Sequence, residues 1–93
     1  AADLAWAKAV RESGPCWALG YQGHECGGRI EAAHLISRRY AATRHNPENG
    51  RPLCQGAHAW FTCHPLAWEA FVTSKIGAEA FAALKAKALR GTK

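Results

Sequence analysis

Acidic residues are scarce in this chain. Seven Asp or Glu stand against twelve Lys or Arg in 93 residues, a formal net charge of +5. Only Glu31 and Glu48 fall in its central segment. Two-metal hydrolases gather several carboxylates around their ions, so this composition speaks against a two-metal mechanism. No glycine-rich loop is followed by lysine, which speaks against nucleotide hydrolysis. No apolar run is long enough to span a bilayer, no signal-peptide pattern is visible, and methionine is absent. Large apolar anchors are few as well. Alanine supplies much of the apolar share, leaving Trp6, Trp17, Trp60, Trp68, Phe61, Phe71, Phe81 and a handful of Leu, Ile and Val. One domain of this size has a marginal core, so a metal or disulfide staple is expected.

What is present is a basic surface and an excess of metal-ligand residue types. The positive charge favours a polyanionic partner, either nucleic acid or an anionic surface. Four cysteines and five histidines are many for so short a chain. Without a sign of secretion, metal ligation outranks disulfides. Cys16, Cys26, Cys54 and Cys63 form two loosely spaced pairs, with nine and eight intervening residues. They read either as ligands of one structural zinc or as buried thiols with an incidental disulfide. His24 is a spare ligand candidate. Nothing marks one cysteine as a nucleophile.

Residues 3–13 predict a helix capped by Asp3, with Leu4, Ala7 and Val10 on one face and Gly14-Pro15 as its stop. Residues 16–28 are glycine-rich and read as an irregular loop. Strands are expected over 29–35 and 51–53, the second an edge or irregular strand because of Pro52. Residues 36–50 are polar, with turn signals at Asn46-Pro47 and Asn49-Gly50. A helix follows over 55–62. Pro65 opens another that Gly77 ends, with Leu66, Phe71, Val72 and Ile76 near one side. A last helix over 78–90 places Phe81, Leu84 and Ala88 inward and Lys85, Lys87 and Arg90 outward. Trp60 and Trp68 read as core anchors rather than base-stacking platforms.

The chemistry lies between Glu31 and Pro65. His34 ends the first strand and reads either as a buried structural histidine or as a general base. Arg38, Arg39 and Arg44 follow, a solvated face or a row of phosphate contacts. Asn49 reads as a turn residue and as a group that orients His34. Hydrolysing a phosphodiester requires a base for water and a cation for the developing charge. Neutral imidazole suits the first task, and His58 as a metal ligand suits the second.

These residues resemble the HNH endonuclease family, in particular its small phage and prophage members. The likeness is carried by His34, Ser37-Arg38-Arg39, Thr43-Arg44, Asn46-Pro47-Glu48-Asn49-Gly50, Pro52-Leu53-Cys54, His58 and His64-Pro65, and covers roughly residues 16–75. It implies a small α+β fold with a ββα-metal core, a short β-hairpin packed on helices, stapled by a structural Zn²⁺ on Cys16, Cys26, Cys54 and Cys63. It implies His34 as the base, Asn49 as its orienting group and His58 as ligand of one Mg²⁺ or Mn²⁺. Arg38, Arg39 and Arg44 would bind DNA phosphates. The expected protein is a DNA endonuclease or nickase, monomeric or homodimeric, in the cytoplasm of a bacterial or phage-infected cell. Two positions depart from the family pattern. Ala33 stands where many members carry a second metal ligand, for which His45, His64 or Glu31 are substitutes. Ala57 stands where the second zinc knuckle has its second cysteine. These departures keep open a non-catalytic zinc-containing nucleic-acid-binding module, while the four cysteines and the basic C-terminal helix keep open a secreted disulfide-stapled basic protein.

Overall fold

The structure, a computed structural model, describes residues 2–21 and 26–90, with the backbone alone at Ala2 and Asp3. The described residues form a small α+β unit: a two-stranded antiparallel sheet and five α-helices. Helix α1 spans Ala2–Arg11, and the strands are β1, Ile30–His34, and β2, Gly50–Cys54. Short α2, Ala41–Arg44, and a single 3-10 turn, Pro47–Asn49, lie between the strands. Three helices follow β2: α3, Gln55–Cys63; α4, Pro65–Ile76; and α5, Ala78–Arg90. None of the described helices is long and apolar enough to cross a membrane.

The strand register pairs Ile30 with Cys54, Ala32 with Pro52 and His34 with Gly50. Period-two alternation puts Ala32, His34, Gly50 and Pro52 on one face of the hairpin, and Glu31, Ala33 and Leu53 on the other. Helix α1 covers the first face and α3 the second. Pro52 sits inside its strand and is buried. Its carbonyl accepts from the Trp17 amide at 2.7 Å. The polar groups of Pro52 therefore point away from β1, and the missing N–H costs the ladder nothing.

On α1 the buried residues are Trp6 and Val10, while Leu4 is exposed. This corrects the expected Leu4 face, because the larger indole takes the sheet contact and also donates Nε1–H to the Asn46 carbonyl at 3.0 Å. The helix begins at Ala2, so Asp3 lies in its first turn rather than at its cap. Glycine at position 50 is dictated by this packing. A Cβ there would run into Val10 and lie 2.7 Å from Trp6 Cζ2. Gly50→Ala should therefore cost about 1–3 kcal/mol as overpacking, read as a lowered denaturant midpoint at unchanged slope.

The core is aromatic and small-residue in alternation. Ala18, Ala33, Ala57, Leu53, Phe61 and Phe71 form its centre, with Cys16 and Cys54 at one end. Trp17, Tyr21, Trp60 and Trp68 pack around them. Ala33 and Ala57 are almost fully buried, and their size lets β1 and α3 meet closely. A second cluster of Leu35, Val72, Phe81 and Leu84 joins α4 and α5 to the chain leaving β1. Gly77, at φ 92°, turns α4 into α5. Leu66 is 83% exposed, against expectation. At 100° per residue it lies roughly 120–140° around α4 from Val72 and Phe71, so it never shared their face.

A histidine cleft and a cysteine cluster on the hairpin

His34 is the last residue of β1 and His58 sits in the first turns of α3. A small cleft of about 90 Å³ is lined by both, together with Ala33, Leu53, Phe61, Thr62 and Trp68. Each imidazole has one nitrogen committed to an acceptor. His34 Nε2 lies 3.0 Å from the Arg44 carbonyl, and its ring stacks on Trp6 with centroids 4.2 Å apart. A carbonyl only accepts, so in the neutral ring Nε2 carries the proton and Nδ1 carries the lone pair. In His58 the order is reversed. Its Nδ1 donates to Glu31 Oε1 at 2.8 Å, which leaves the lone pair on Nε2.

Glu31 was expected only as a substitute ligand. Its alternation with Ala33 along β1 is the signal that puts it opposite α3. A carboxylate on the far nitrogen of a ligating histidine fixes the tautomer and raises the basicity of the other nitrogen. The other two suggested substitutes lie elsewhere. His45 follows α2 and lines a groove with Trp6, Val10 and Pro47. His64 stacks on Trp60 at 4.0 Å and donates Nδ1–H to the Trp60 carbonyl at 2.7 Å.

Asn49 is fully buried. Its Oδ1 accepts from the Ile36 amide at 2.7 Å, and its Nδ2 donates to the carbonyls of Ile36 and Thr43 at 3.0 and 2.9 Å. It therefore grips the main chain two residues beyond His34 rather than the His34 ring. The backbone repeats the tie, with Leu35 N–H donating to Asn49 O at 2.9 Å. Arg38 and Arg39 are exposed, and Arg44 Nε donates to the Arg38 carbonyl at 2.6 Å. The arginine loop thus meets the cleft through the Arg44 carbonyl that holds His34. Arg51 is structural instead. It lies over Trp17 at 5.2 Å and donates to the carbonyls of Glu48 and Gly50. Burial lowers its pKa, with Glu48 pulling the other way.

At the opposite end of the hairpin, Cys16, Cys26 and Cys54 bring their sulfurs within 4.8 Å of one another and could hold a metal ion. All four cysteines are free thiols, and the Cys16 and Cys26 sulfurs are 4.0 Å apart, about twice a disulfide bond. Backbone amides point at the cluster: Gly27 and Ala57 donate to Cys54 Sγ at 3.4 and 3.3 Å, and Cys54 N–H to Cys16 Sγ at 3.3 Å. At Cys54 burial raises the pKa, but those amides and the neighbouring thiols outweigh it and the net shift is downward. At Cys26, an exposed residue overall, desolvation at the sulfur and hydrogen bonds to Cys54 and Cys16 push the thiol up to about 11.

Cys63 does not join this group, which corrects the expected four-cysteine set. Cys54 caps the start of α3 and Cys63 is its last residue. At 1.5 Å per residue the helix carries them about 13 Å apart. His24 lies outside the described residues. Comparison with family models, with curated proteins and with solved structures finds no match.

Proposed function

We propose that this protein is a metal-dependent DNA endonuclease or nickase of the HNH type. On this reading β1, β2 and α3 are its ββα-metal core. The observation that carries the proposal is the cleft shared by His34 and His58, whose rings are held in opposite tautomers by Arg44 O and Glu31. On this reading His34 serves the proton and His58 serves a cation through Nε2. That division of labour suits phosphodiester hydrolysis.

In the proposed reaction His34 takes a proton from water as the oxygen forms a bond to phosphorus. The bond from phosphorus to the 3′-oxygen breaks, and that oxygen takes a proton from a second water. Arg38, Arg39 and Arg44 hold backbone phosphates beside the cleft. His58 Nε2 would hold a divalent ion, and that ion would supply charge neutralisation at the phosphate. Ala33 gives that ion no ligand, and Glu31 is engaged with the other side of the His58 ring. A site with one imidazole donor suits Mn²⁺ better than Mg²⁺, which prefers carboxylates and phosphates. Nicking of supercoiled plasmid tests the reading, with activity expected in Mn²⁺, weaker activity in Mg²⁺ and none in EDTA. A folded, DNA-binding protein inert in every divalent metal would overturn it. That outcome favours a non-catalytic zinc-containing nucleic-acid-binding module, the reading to which Ala33 points.

The cysteine cluster fits a structural Zn²⁺. Thiolates around zinc at about 2.3 Å in a tetrahedron sit roughly 3.8 Å apart, close to the observed spacing. The three amides donating to Cys16 and Cys54 are what thiolate ligands require. Three sulfurs leave one position for a further ligand. Cys54→Ser should weaken Co²⁺ or Zn²⁺ binding beyond the ~10–100-fold that loss of an outer partner costs, while Cys63→Ser leaves it unchanged. Because bound thiols are deprotonated, acid should release the metal and lower the melting temperature. Absorption of the Co²⁺-loaded protein reads both effects.

A further inference from the structure

His58 faces a second depression besides the histidine cleft. It is an open hollow of about 650 Å³, lined by Ala7, Arg11, Arg29, Ile30, Glu31, Ala32 and His58. Its two arginines come from different elements. Arg11 is the last residue of α1, and Arg29 immediately precedes β1. Both side chains belong to exposed residues, and among the described residues neither makes a hydrogen bond or ion pair. Their backbones are nevertheless fixed. The Arg29 carbonyl accepts from the Gln55 amide at 2.9 Å where β1 meets α3, and α1 packs along β1. Glu31 is the one acid lining the hollow, and its Oε1 is already engaged by His58.

Two cations on rigid supports, with no carboxylate partner, facing an open hollow beside a histidine, form a receptor for phosphate groups. We propose that Arg11 and Arg29 bind the DNA backbone on the far side of His58 from the arginine loop. The strand would then run from Arg11 and Arg29, past His58 and the cleft, to Arg44, Arg38 and Arg39. This rests on the nuclease reading for its ligand and extends it. The arginine loop alone would hold the strand on one side of the scissile bond. Contacts on both sides fix the phosphate in line with the attacking water. Because these are phosphate contacts, they add affinity without sequence preference.

The experiment measures binding to a fluorescein-labelled DNA duplex across a range of salt concentrations. All proteins carry His34→Ala so that the DNA is not consumed. Arg11→Gln/Arg29→Gln should bind about tenfold more weakly at moderate salt. Its slope of log affinity against log salt should be shallower by about 1.8, because two counterion-releasing contacts are gone. Arg11→Lys/Arg29→Lys should keep most of the slope, since charge remains. Single Arg→Gln variants should each make the slope shallower by about 0.9, which covers a double variant that folds poorly. Affinity and slope within error of the parent would overturn the proposal, and so would a parent that does not bind duplex at all. The nuclease reading is scored separately, by plasmid nicking with the His34 wild type. An active nuclease with unchanged binding in the double variant therefore sinks this site alone.

Discussion

His34→Ala should lower plasmid nicking by roughly 10²–10⁴-fold, the usual contribution of a positioned general base. The loss should appear at every metal concentration, because on the proposed mechanism His34 acts on water and not on the ion. His58→Ala should differ in kind. It removes the imidazole nitrogen offered to the ion, so half-maximal activity should need far more Mn²⁺, with residual nicking at the highest concentrations. Glu31→Ala should behave as a weaker copy of His58→Ala, down by ~10–100-fold, since it frees the ring that Glu31 holds at 2.8 Å. The fold must be checked beside each rate. His34→Ala also loses the Trp6 stack and the bond to Arg44 O, together about 1–3 kcal/mol. A melting curve separates that loss from catalysis. Wild-type nicking by a folded His34→Ala protein would end the base assignment, whatever the metal dependence shows.

Much of this arrangement was legible along the chain, and the failures have physical causes. Helices α3 to α5 are marked by Pro65, by Gly77 and by apolar spacing at Phe81, Leu84 and Ala88, so their limits emerge within a residue or so. The hairpin was readable because turn residues bracket two short apolar runs. Between the strands the turn at Asn46-Pro47 was readable, and Asn46 caps the 3-10 turn there, but α2 was not. Helix α2 has four residues and no side-chain cap, and it is held by packing against α5 rather than by its own propensity. The cysteine set failed at Cys63 because spacing counts residues and ignores direction. A helix beginning at Cys54 necessarily carries Cys63 away from the cluster. Glu31 was partly legible, since alternation along β1 gives its face, but the match to His58 depends on how α3 docks. Arg11 and Arg29 were illegible as a pair. Only the packing of α1 on β1 puts them at one hollow. The stacking of Trp6 on His34 has the same origin.

Asn49 should prove the most costly polar side chain to remove. Among the described residues no non-glycine residue has a positive φ, so Asn49 is not there to supply a left-handed turn. Its amide is what the site requires. Ile36 N–H can only donate, and the carbonyls of Ile36 and Thr43 can only accept, so all three bonds demand an amide in one orientation. Asn49→Ala strands the fully buried Thr43 carbonyl and the part-buried N–H and carbonyl of Ile36. At about 1–3 kcal/mol for each unmet group, the total is roughly 3–9 kcal/mol. That is a large share of the ~5–15 kcal/mol available to a small domain, and corresponds to a melting point lower by ~15 °C or more. Asn49→Asp keeps the acceptor for Ile36 N–H but turns a carboxylate toward two carbonyls, so it should be no better. Because Ile36 and Thr43 flank His34 and Arg44 in sequence, the same change loosens the contact that sets the His34 tautomer. Nicking should therefore fall further than the loss of folded protein accounts for, a difference visible below the melting transition. Melting unchanged within a degree in Asn49→Ala would show that the amide is dispensable, and would leave the orientation of His34 to Trp6 and Arg44 alone.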